Sequence, residues 1–536
     1  MPDPAPPDPI REYHQRSKHC FERYAAGPGF LDWSTQPDPF RRFGGCPQLP
    51  LPLRADGWTG SYAEAFQAGR PAAALNLDHL ALLLELSFGL SAWKAYEGER
   101  WALRCNPSSG NLHPTEAYVI AGSGIDGLEP GIYHYQSHDH ALEQRCRTAL
   151  PLSGLLVGLS SIHWREAWKY GERAFRYCQH DVGHALGALR YAAATLGWHA
   201  ELLEDWGDDD LAALLGLDRL AEFPEGEREA PDLLCRIGVG TAAPSQSDGA
   251  SLAAAARDGD WFGSAGALSA THRHRWDAID QVHCAAAKPP TRPPAPLPPS
   301  PAAAPLPPPA VDHLAAGLIR QRRSAQVFDG MTALPARAFF RLLDACLPRP
   351  ELPPFDCWPW PPRVHPVLFV HRVDGLTPGL YVLARHHAAA AELRSAMRSE
   401  FAWSPVDGCP SHLPLYQLVR ANAQQAAMQL CCHQDIAGAG CFSLGMLAEF
   451  DAALAQGNWM YRRLFWECGL IGQCLYLEAE AAGLRGTGIG CYLDDAVHDV
   501  LGLTGTRYQS LYHFTVGAPL LDERLQTLPP YGHLQR

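Results

Sequence analysis

At 536 residues the chain is too long for one compact core, so the length supports two to four domains, each able to bury a substantial apolar interior. A formal charge of −13 argues against a nucleic-acid or anionic-membrane surface, because both need clustered cations to neutralise phosphate. Sixteen scattered cysteines with no paired CxxC spacing argue against a disulfide framework or a zinc ribbon, and reduced thiols are expected.

Met1 to Pro9 has neither the basic start nor the apolar core of a signal peptide, and no apolar run reaches membrane-spanning length, so a cytoplasmic protein is expected. Residues 1–74 are expected to form an N-terminal extension packing on a first domain, 75–287. The most informative stretch of that domain is Arg104-Cys-Asn-Pro-Ser-Ser-Gly-Asn-Leu-His-Pro-Thr-Glu-Ala-Tyr118, a polar loop that returns to strand pattern. Pro107 fixes φ and Gly110 permits a left-handed backbone, while Ser108, Ser109 and Asn111 both donate and accept hydrogen bonds. Such a loop can hold a polar ring, although similar loops also serve as plain solvated turns. His134 to His140 lies between two strand-like runs and reads as a solvated hairpin tip. It and the separate cluster Cys431, Cys432 and His433 are not expected to bind metal.

Long apolar helices are expected near 174–196 and 460–482. Gly183 and Gly187 stand four apart inside the first, where each costs roughly 1 kcal/mol of helix propensity, so close helix-to-helix approach across a buried seam is expected there. Only four of the 44 basic residues are lysine: Lys18, Lys94, Lys169 and Lys288. Arginine cannot give up its proton at neutral pH and a crowded lysine can, which draws attention to each lysine as a candidate base. Residues 288–310 are mostly proline and read as a PPII-like linker before a second domain, 311–536.

The two halves repeat. With one fixed offset, Gly171, Arg176, Gly183, Gly197 and Leu215-Gly-Leu217 fall on Gly457, Arg462, Gly469, Gly483 and Leu501-Gly-Leu503. Small gaps add Pro130-Gly-Ile-Tyr133 with Pro378-Gly-Leu-Tyr381. Each half reads as one α+β unit, with strands near 115–121 and 366–372.

The loop around Pro107 to Asn111 resembles the flavin-facing loop of the nitroreductase family, in particular its SagB-type dehydrogenase branch. The second domain opens with Arg320-Gln-Arg-Arg-Ser-Ala-Gln-Val-Phe-Asp-Gly330, similar to the family's Arg-x-Ser-x-(Arg/Lys)-x-Phe pattern, which grips the phosphate and ribityl chain of flavin mononucleotide (FMN). That pattern maps to Arg322, Ser324, Gln326 and Phe328, with Gln326 replacing the usual cation. Gly486-Thr-Gly-Ile-Gly490 follows a helix and leads into another, unlike a dinucleotide fingerprint. The resemblance implies that Gly488, Ile489 and Gly490 supply backbone amides near the flavin ring. Trp164 to Tyr177 resembles the Lys-Tyr segment of azoline dehydrogenases, implying Lys169 and Tyr170 as proton-moving residues; Arg165, Arg173 and Arg176 would push the lysine pKa down, while Glu166 and Glu172 would oppose them.

The implied fold is two tandem nitroreductase-like domains, each a central mostly antiparallel sheet flanked by helices, forming an intramolecular pseudo-dimer. In the first domain the phosphate motif resembles Gln15-Arg-Ser-Lys-His-Cys-Phe21, and in the second the polar loop is replaced by Pro359-Trp-Pro-Pro-Arg-Val-His-Pro366. Pairing the intact motif of each domain leaves one strong FMN site, with the other weak or empty. The implied activity is an FMN-dependent oxidoreductase, a dehydrogenase oxidising an azoline-like or other C–X single bond with hydride transfer to flavin N5. Its substrate would be a small molecule or modified peptide, and a cyclodehydratase-type protein is a possible partner. An NAD(P)H-dependent nitro or quinone reductase and a flavin-binding non-catalytic subunit are the alternatives.

Overall fold

The computed structural model describes residues 8–67, 69–240, 249–292 and 305–534, so most of the expected proline-rich linker, 293–304, lies outside the described residues. The helices used below are α1 (Pro9–Arg16), α2 (Leu77–Ser87), α3 (His163–Tyr170), α4 (Ala174–Thr195), α5 (Asp208–Leu215), α6 (Ala315–Gln321), α7 (Ala336–Ala345), α8 (Met460–Ala481) and α9 (Asp494–Leu501). The first sheet contains β1 (Thr115–Ala121), β2 (Gly131–Gln136), β3 (Ala141–Arg147), β4 (Leu155–Ser161), β5 (Trp198–Leu202) and β6 (Ala230–Val239). The second contains β7 (Val364–Val370), β8 (Gly379–Leu383), β9 (Leu415–Arg420), β10 (Phe442–Glu449), β11 (Arg485–Ile489) and β12 (Tyr508–Gly517).

Strand order shows the repeat directly. The first sheet runs β3-β2-β1-β4-β6-β5 and the second β9-β8-β7-β10-β12-β11, antiparallel at each of these pairings, with short strands added at the β3 and β9 edges. The central strands β1, β4, β7 and β10 are buried along their whole length, as sheets covered on both faces require.

Between the sheets lie α4 and α8, the two longest described helices, and every residue of both is buried. A helix without a solvent face belongs inside a core. Their contact explains the helix glycines: a Cβ on Gly183 would collide with the Trp466 carbonyl oxygen, and one on Gly469 with the His180 carbonyl oxygen. Gly187 likewise lies against Gln473, where a Cβ would meet the side chain at 2.8 Å. One apolar cluster runs through this seam from the first sheet to the second, so the halves share a core.

The seam is also locked ionically, and symmetrically. Arg176 of α4 donates to Asp494 at the start of α9 (2.7 Å), and Arg462 of α8 donates to Asp208 at the start of α5 (2.8 and 2.7 Å). One offset carries 176 to 462 and 208 to 494, so these pairs are two copies of one interaction exchanged between halves. Each guanidinium forms a charge-assisted bond out of contact with water, where removing one partner costs about 3–5 kcal/mol. A further reciprocal pair, Tyr62 N–H to His313 O (2.7 Å) and Ala315 N–H to Gly60 O (2.9 Å), joins the segment ahead of α2 to the start of α6.

Three expectations change. First, the N-terminal segment touches both halves: α1 donates from Tyr13 to Glu172 O (2.6 Å), and its Arg11 and His14 reach Asp451 and Gln509. Second, His134–His140 does form a hairpin turn, but His134 and His140 are fully buried and are not solvated. The His134 ring bonds Glu143 (2.9 Å) and Glu116 (3.0 Å), and although burial alone would lower its pKa, these carboxylates raise it to about 9. Third, Arg485–Gly490 begins as a strand, β11, whose antiparallel pairing with β12 at a sheet edge separates it from the parallel unit of a dinucleotide fold. Lys288, placed at the start of the linker, packs on the first half, its Nζ bonding Trp206 O (2.8 Å) and Thr291 Oγ1 (2.8 Å).

Candidate active site

A cavity of about 860 Å³ opens at the seam, and both halves line it. Ser108, Ser109, Asn111 and Tyr170 come from the first half, and Arg322, Ser324, Gln326, Gly488, Ile489 and Gly490 from the second. Lys169 stands just behind the wall: a Cβ on Gly110 would lie 3.1 Å from its Nζ and 2.5 Å from the Tyr170 hydroxyl. The sequence-derived residues therefore converge on one place.

The polar loop owes its shape to left-handed residues, Gly110 (φ 59°), Asn111 (φ 60°) and His113 (φ 52°). Much of the hydrogen-bonding capacity of its side chains is spent on holding that shape. Asn111 donates to Ala102 O (2.8 Å) while its carbonyl oxygen meets His113 Nε2 (2.9 Å), and Ser108 Oγ accepts from His113 N–H (2.8 Å). Ser109 donates its N–H to Asp181 (3.1 Å) and its hydroxyl to the same carboxylate (3.3 Å). All three side chains brace the loop, and the remaining serine lone pairs and the second Asn111 amide hydrogen are left over.

Asp181 was not among the expected site residues, although it is the lone carboxylate of α4. Burial raises its pKa from the ordinary 3.8 to about 7, against the pull of the serine hydrogen bonds. Beneath it Glu166 of α3 is fully buried, with the Ser108 hydroxyl as its hydrogen-bonding neighbour. Burial, and then the charge of Asp181, push the Glu166 pKa well above its usual value. Two buried carboxyls with raised pKa thus underlie the loop, and like charges so placed favour holding a proton.

Cations gather on the other side. Arg322 donates to the carbonyls of Cys105 (3.3 Å) and Arg104 (3.1 Å), so the second half's arginine grips the first half just ahead of the polar loop. Arg323 bonds Ser91 Oγ (3.2 Å), and Lys94, Arg104 and Arg485 also line the cavity. Burial, and then repulsion from Arg322, lower the Arg323 pKa to about 10. Such crowding calls for an anion, and phosphate suits it because guanidinium groups bind it bidentately. Ser324 shares a hydrogen bond with Tyr476 (2.7 Å), whose hydroxyl also accepts from Gly488 N–H (3.0 Å).

The glycines of Gly486 to Gly490 have a different reason from the expected one. Side chains at Gly488 and Gly490 would collide with the Tyr512 hydroxyl and the Tyr177 ring. They make room for aromatic cavity walls, and Tyr177, Tyr476 and Tyr512 were not foreseen.

At the pseudo-symmetric counterpart of this cavity the wall positions carry other side chains. The offset carries Tyr177 to Arg463 and Tyr476 back to Arg190. Arg463 lies over the rings of Trp360 (3.9 Å) and Trp459 (4.3 Å), and Arg190 forms an ion pair with Asp356 (2.7 Å). Cation-π contacts and tryptophan bulk take the place of those walls. In Gln15 to Phe21, Ser17 Oγ accepts from Arg176 (2.9 Å) and Phe21 faces solvent.

Residues 384–518 match the model of the nitroreductase family. These residues form a nitroreductase-family domain. The trifolitoxin-processing protein TfxB of Rhizobium leguminosarum bv. trifolii is 31% identical over 169 residues, 27% of this chain and 45% of TfxB. The chain thus spans under half the length of that relative. A protein of Methanocaldococcus jannaschii named "Putative nitroreductase MJ1384" is 26% identical over 156 residues, 26% of this chain and 76% of its own. The crystal structure of a nitroreductase-named protein from Anabaena variabilis superposes with a TM-score of 0.64 at 20% identity, covering 96% of this chain and all of the other. The fold is therefore that of two tandem nitroreductase-like domains. No helix among the described residues is long and apolar enough to cross a membrane.

Proposed function

We propose that the protein is an FMN-dependent dehydrogenase of the SagB type, in which each half supplies one side of a single site. The observation that carries this reading is the shared cavity, with clustered arginines from the second half opposite a polar loop from the first. The donor set fits FMN: Arg322, Arg323 and Ser324 would take the phosphate and ribityl chain, and Ser108, Ser109 and Asn111 would approach the ring. Cavity-lining Asn106 Oδ1 and Arg104 Nε are buried without a hydrogen-bond partner, leaving polar atoms for a ligand to satisfy. Bound there, FMN supplies a two-electron acceptor for hydride.

Oxidation of a C–X single bond also requires loss of a proton, and Lys169 and Tyr170 stand where one could be taken. Burial, and then the nearby Glu166 carboxyl, push the Tyr170 pKa well above its usual value. This disfavours phenolate. The Tyr170 hydroxyl would position and relay, with Lys169 beside it as its partner in moving the proton. Similarity to a toxin-processing protein supports a modified peptide with azoline-like rings as substrate, with a cyclodehydratase-type protein upstream.

Anaerobic mixing of the flavin-loaded protein tests this. Bleaching by an azoline-containing peptide, slowed on the order of 10²–10⁴-fold by Lys169→Ala or Tyr170→Phe, is the expected result. Rapid bleaching by NAD(P)H alone, indifferent to both substitutions, would replace this reading with that of a reductase.

A further inference from the structure

Cys491 follows the glycine strand directly and lines the cavity. Its thiol is in hydrogen-bonding contact with that of Cys432, which comes from a separate segment. The two segments are fastened to each other by Leu493 N–H to Leu430 O (2.8 Å), and Gln434 Nε2 donates both to Cys431 O (2.9 Å) and to Cys491 O (3.0 Å). Cys432 (φ 53°) and His433 (φ 61°) are consecutive left-handed residues without being glycine, a costly backbone that turns Cys432 toward its neighbour. Both thiols are partly accessible.

The surroundings favour thiolate at Cys491. His19 contacts the Cys491 thiol, and since its Nδ1 accepts from Ala25 N–H (2.9 Å), the other ring nitrogen is left to donate. Arg173 donates to the carbonyl of adjacent Gly490 (3.1 Å). The hydrogen bond from Cys432, opposed by burial and assisted by His19, holds the Cys491 pKa down to about 5, while the same bond raises that of Cys432. The other titratable groups facing the pair are Tyr24, which contacts Cys432, and Tyr170 and Tyr177, which feel the charge of Cys491.

We propose that Cys491 and Cys432 form a reversible dithiol/disulfide couple at the cavity wall, with Cys491 as the peroxide-reactive thiolate and Cys432 as the resolving thiol. Cys491 sulfur attacks one oxygen of hydrogen peroxide: an S–O bond forms, the O–O bond breaks, and the departing hydroxide is protonated to water. Cys432 sulfur then attacks the sulfenic acid: the S–S bond forms, the S–O bond breaks, and a second water leaves with the Cys432 proton. Two electrons pass from the two thiols to peroxide, and a thiol reductant reverses the change. Oxidation also removes the negative charge facing Tyr170, tying the couple to the proposed proton-moving residues.

The full chain, with and without added FMN, is treated with stoichiometric hydrogen peroxide, blocked with iodoacetamide and mapped by peptide mass spectrometry. The expected products are a Cys432–Cys491 linked peptide that dithiothreitol removes and, before oxidation, alkylation of Cys491 at pH 6 on the order of tenfold or more faster than that of exposed Cys284. Cys432→Ser should divert Cys491 to a dimedone-trapped sulfenic acid. Absence of the linked peptide from the wild-type protein, or alkylation of Cys491 no faster than that of Cys284, overturns the proposal whether or not the variant folds.

Discussion

Replacing Asp181 with asparagine should make the protein more stable, and increasingly so as pH rises. The native carboxyl has a pKa raised to about 7 by burial, against 3.8 ordinarily. Between these values the folded protein holds a proton that the unfolded chain has released, so the stability this group contributes is full below pH 4 and is lost as pH climbs through 7. The whole difference corresponds to about 4 kcal/mol, of which roughly 2–3 kcal/mol falls between pH 5 and pH 8. Asparagine is neutral throughout and keeps an oxygen for the Ser109 N–H, so the loop contact survives while the cost of burying a charge is removed. Thermal unfolding of wild type and Asp181→Asn side by side is the assay: buried groups remote from Asp181 titrate alike in both, and Glu166, relieved of the Asp181 charge, moves the gap in the same direction. The gap in Tm should widen by a few degrees from pH 5 to pH 8. A constant gap, or one that shrinks, would refute the assignment of a buried, proton-holding carboxyl beneath the loop.

Gly183→Ala should lower stability by about 1–3 kcal/mol, because backbone meets backbone at the seam and the steric cost exceeds the roughly 1 kcal/mol gained in helix propensity. Gly317→Ala in α6, where a Cβ meets nothing closer than 3.9 Å, should be neutral or slightly stabilising in the same thermal assay. Arg322→Ala should weaken FMN binding on the order of 10–100-fold in fluorescence titration while leaving far-ultraviolet circular dichroism unchanged. Asp208→Asn and Asp494→Asn should each destabilise by about 3–5 kcal/mol in chemical unfolding, since the two ion pairs are copies of one interaction; a cost confined to one of them would contradict the pseudo-dimer seam.

Much of this arrangement was legible in the residues. The ungapped offset carried Arg176 to Arg462, and those two arginines make the exchanged ion pairs; helix glycines that propensity disfavours sit where backbones touch. The polar loop and the arginine motif announced themselves because special backbone angles and cation clusters need particular residue types. What stayed hidden depends on distance in space. Asp181 and Glu166 meet only because α3 and α4 pack together, and the aromatic walls Tyr177, Tyr476 and Tyr512 come from elements far apart in sequence. His134 looked solvated because its partners, Glu116 and Glu143, become neighbours only across strands.

The central claim is that two unequal halves assemble one cofactor site and line its mirror image with other side chains. Saturating the purified protein with FMN, removing free ligand and quantifying released flavin against chain concentration tests it most directly. One FMN per chain, with yield collapsing in Arg322→Ala, is the expected result. Two per chain, or retention that ignores Arg322, would contradict it.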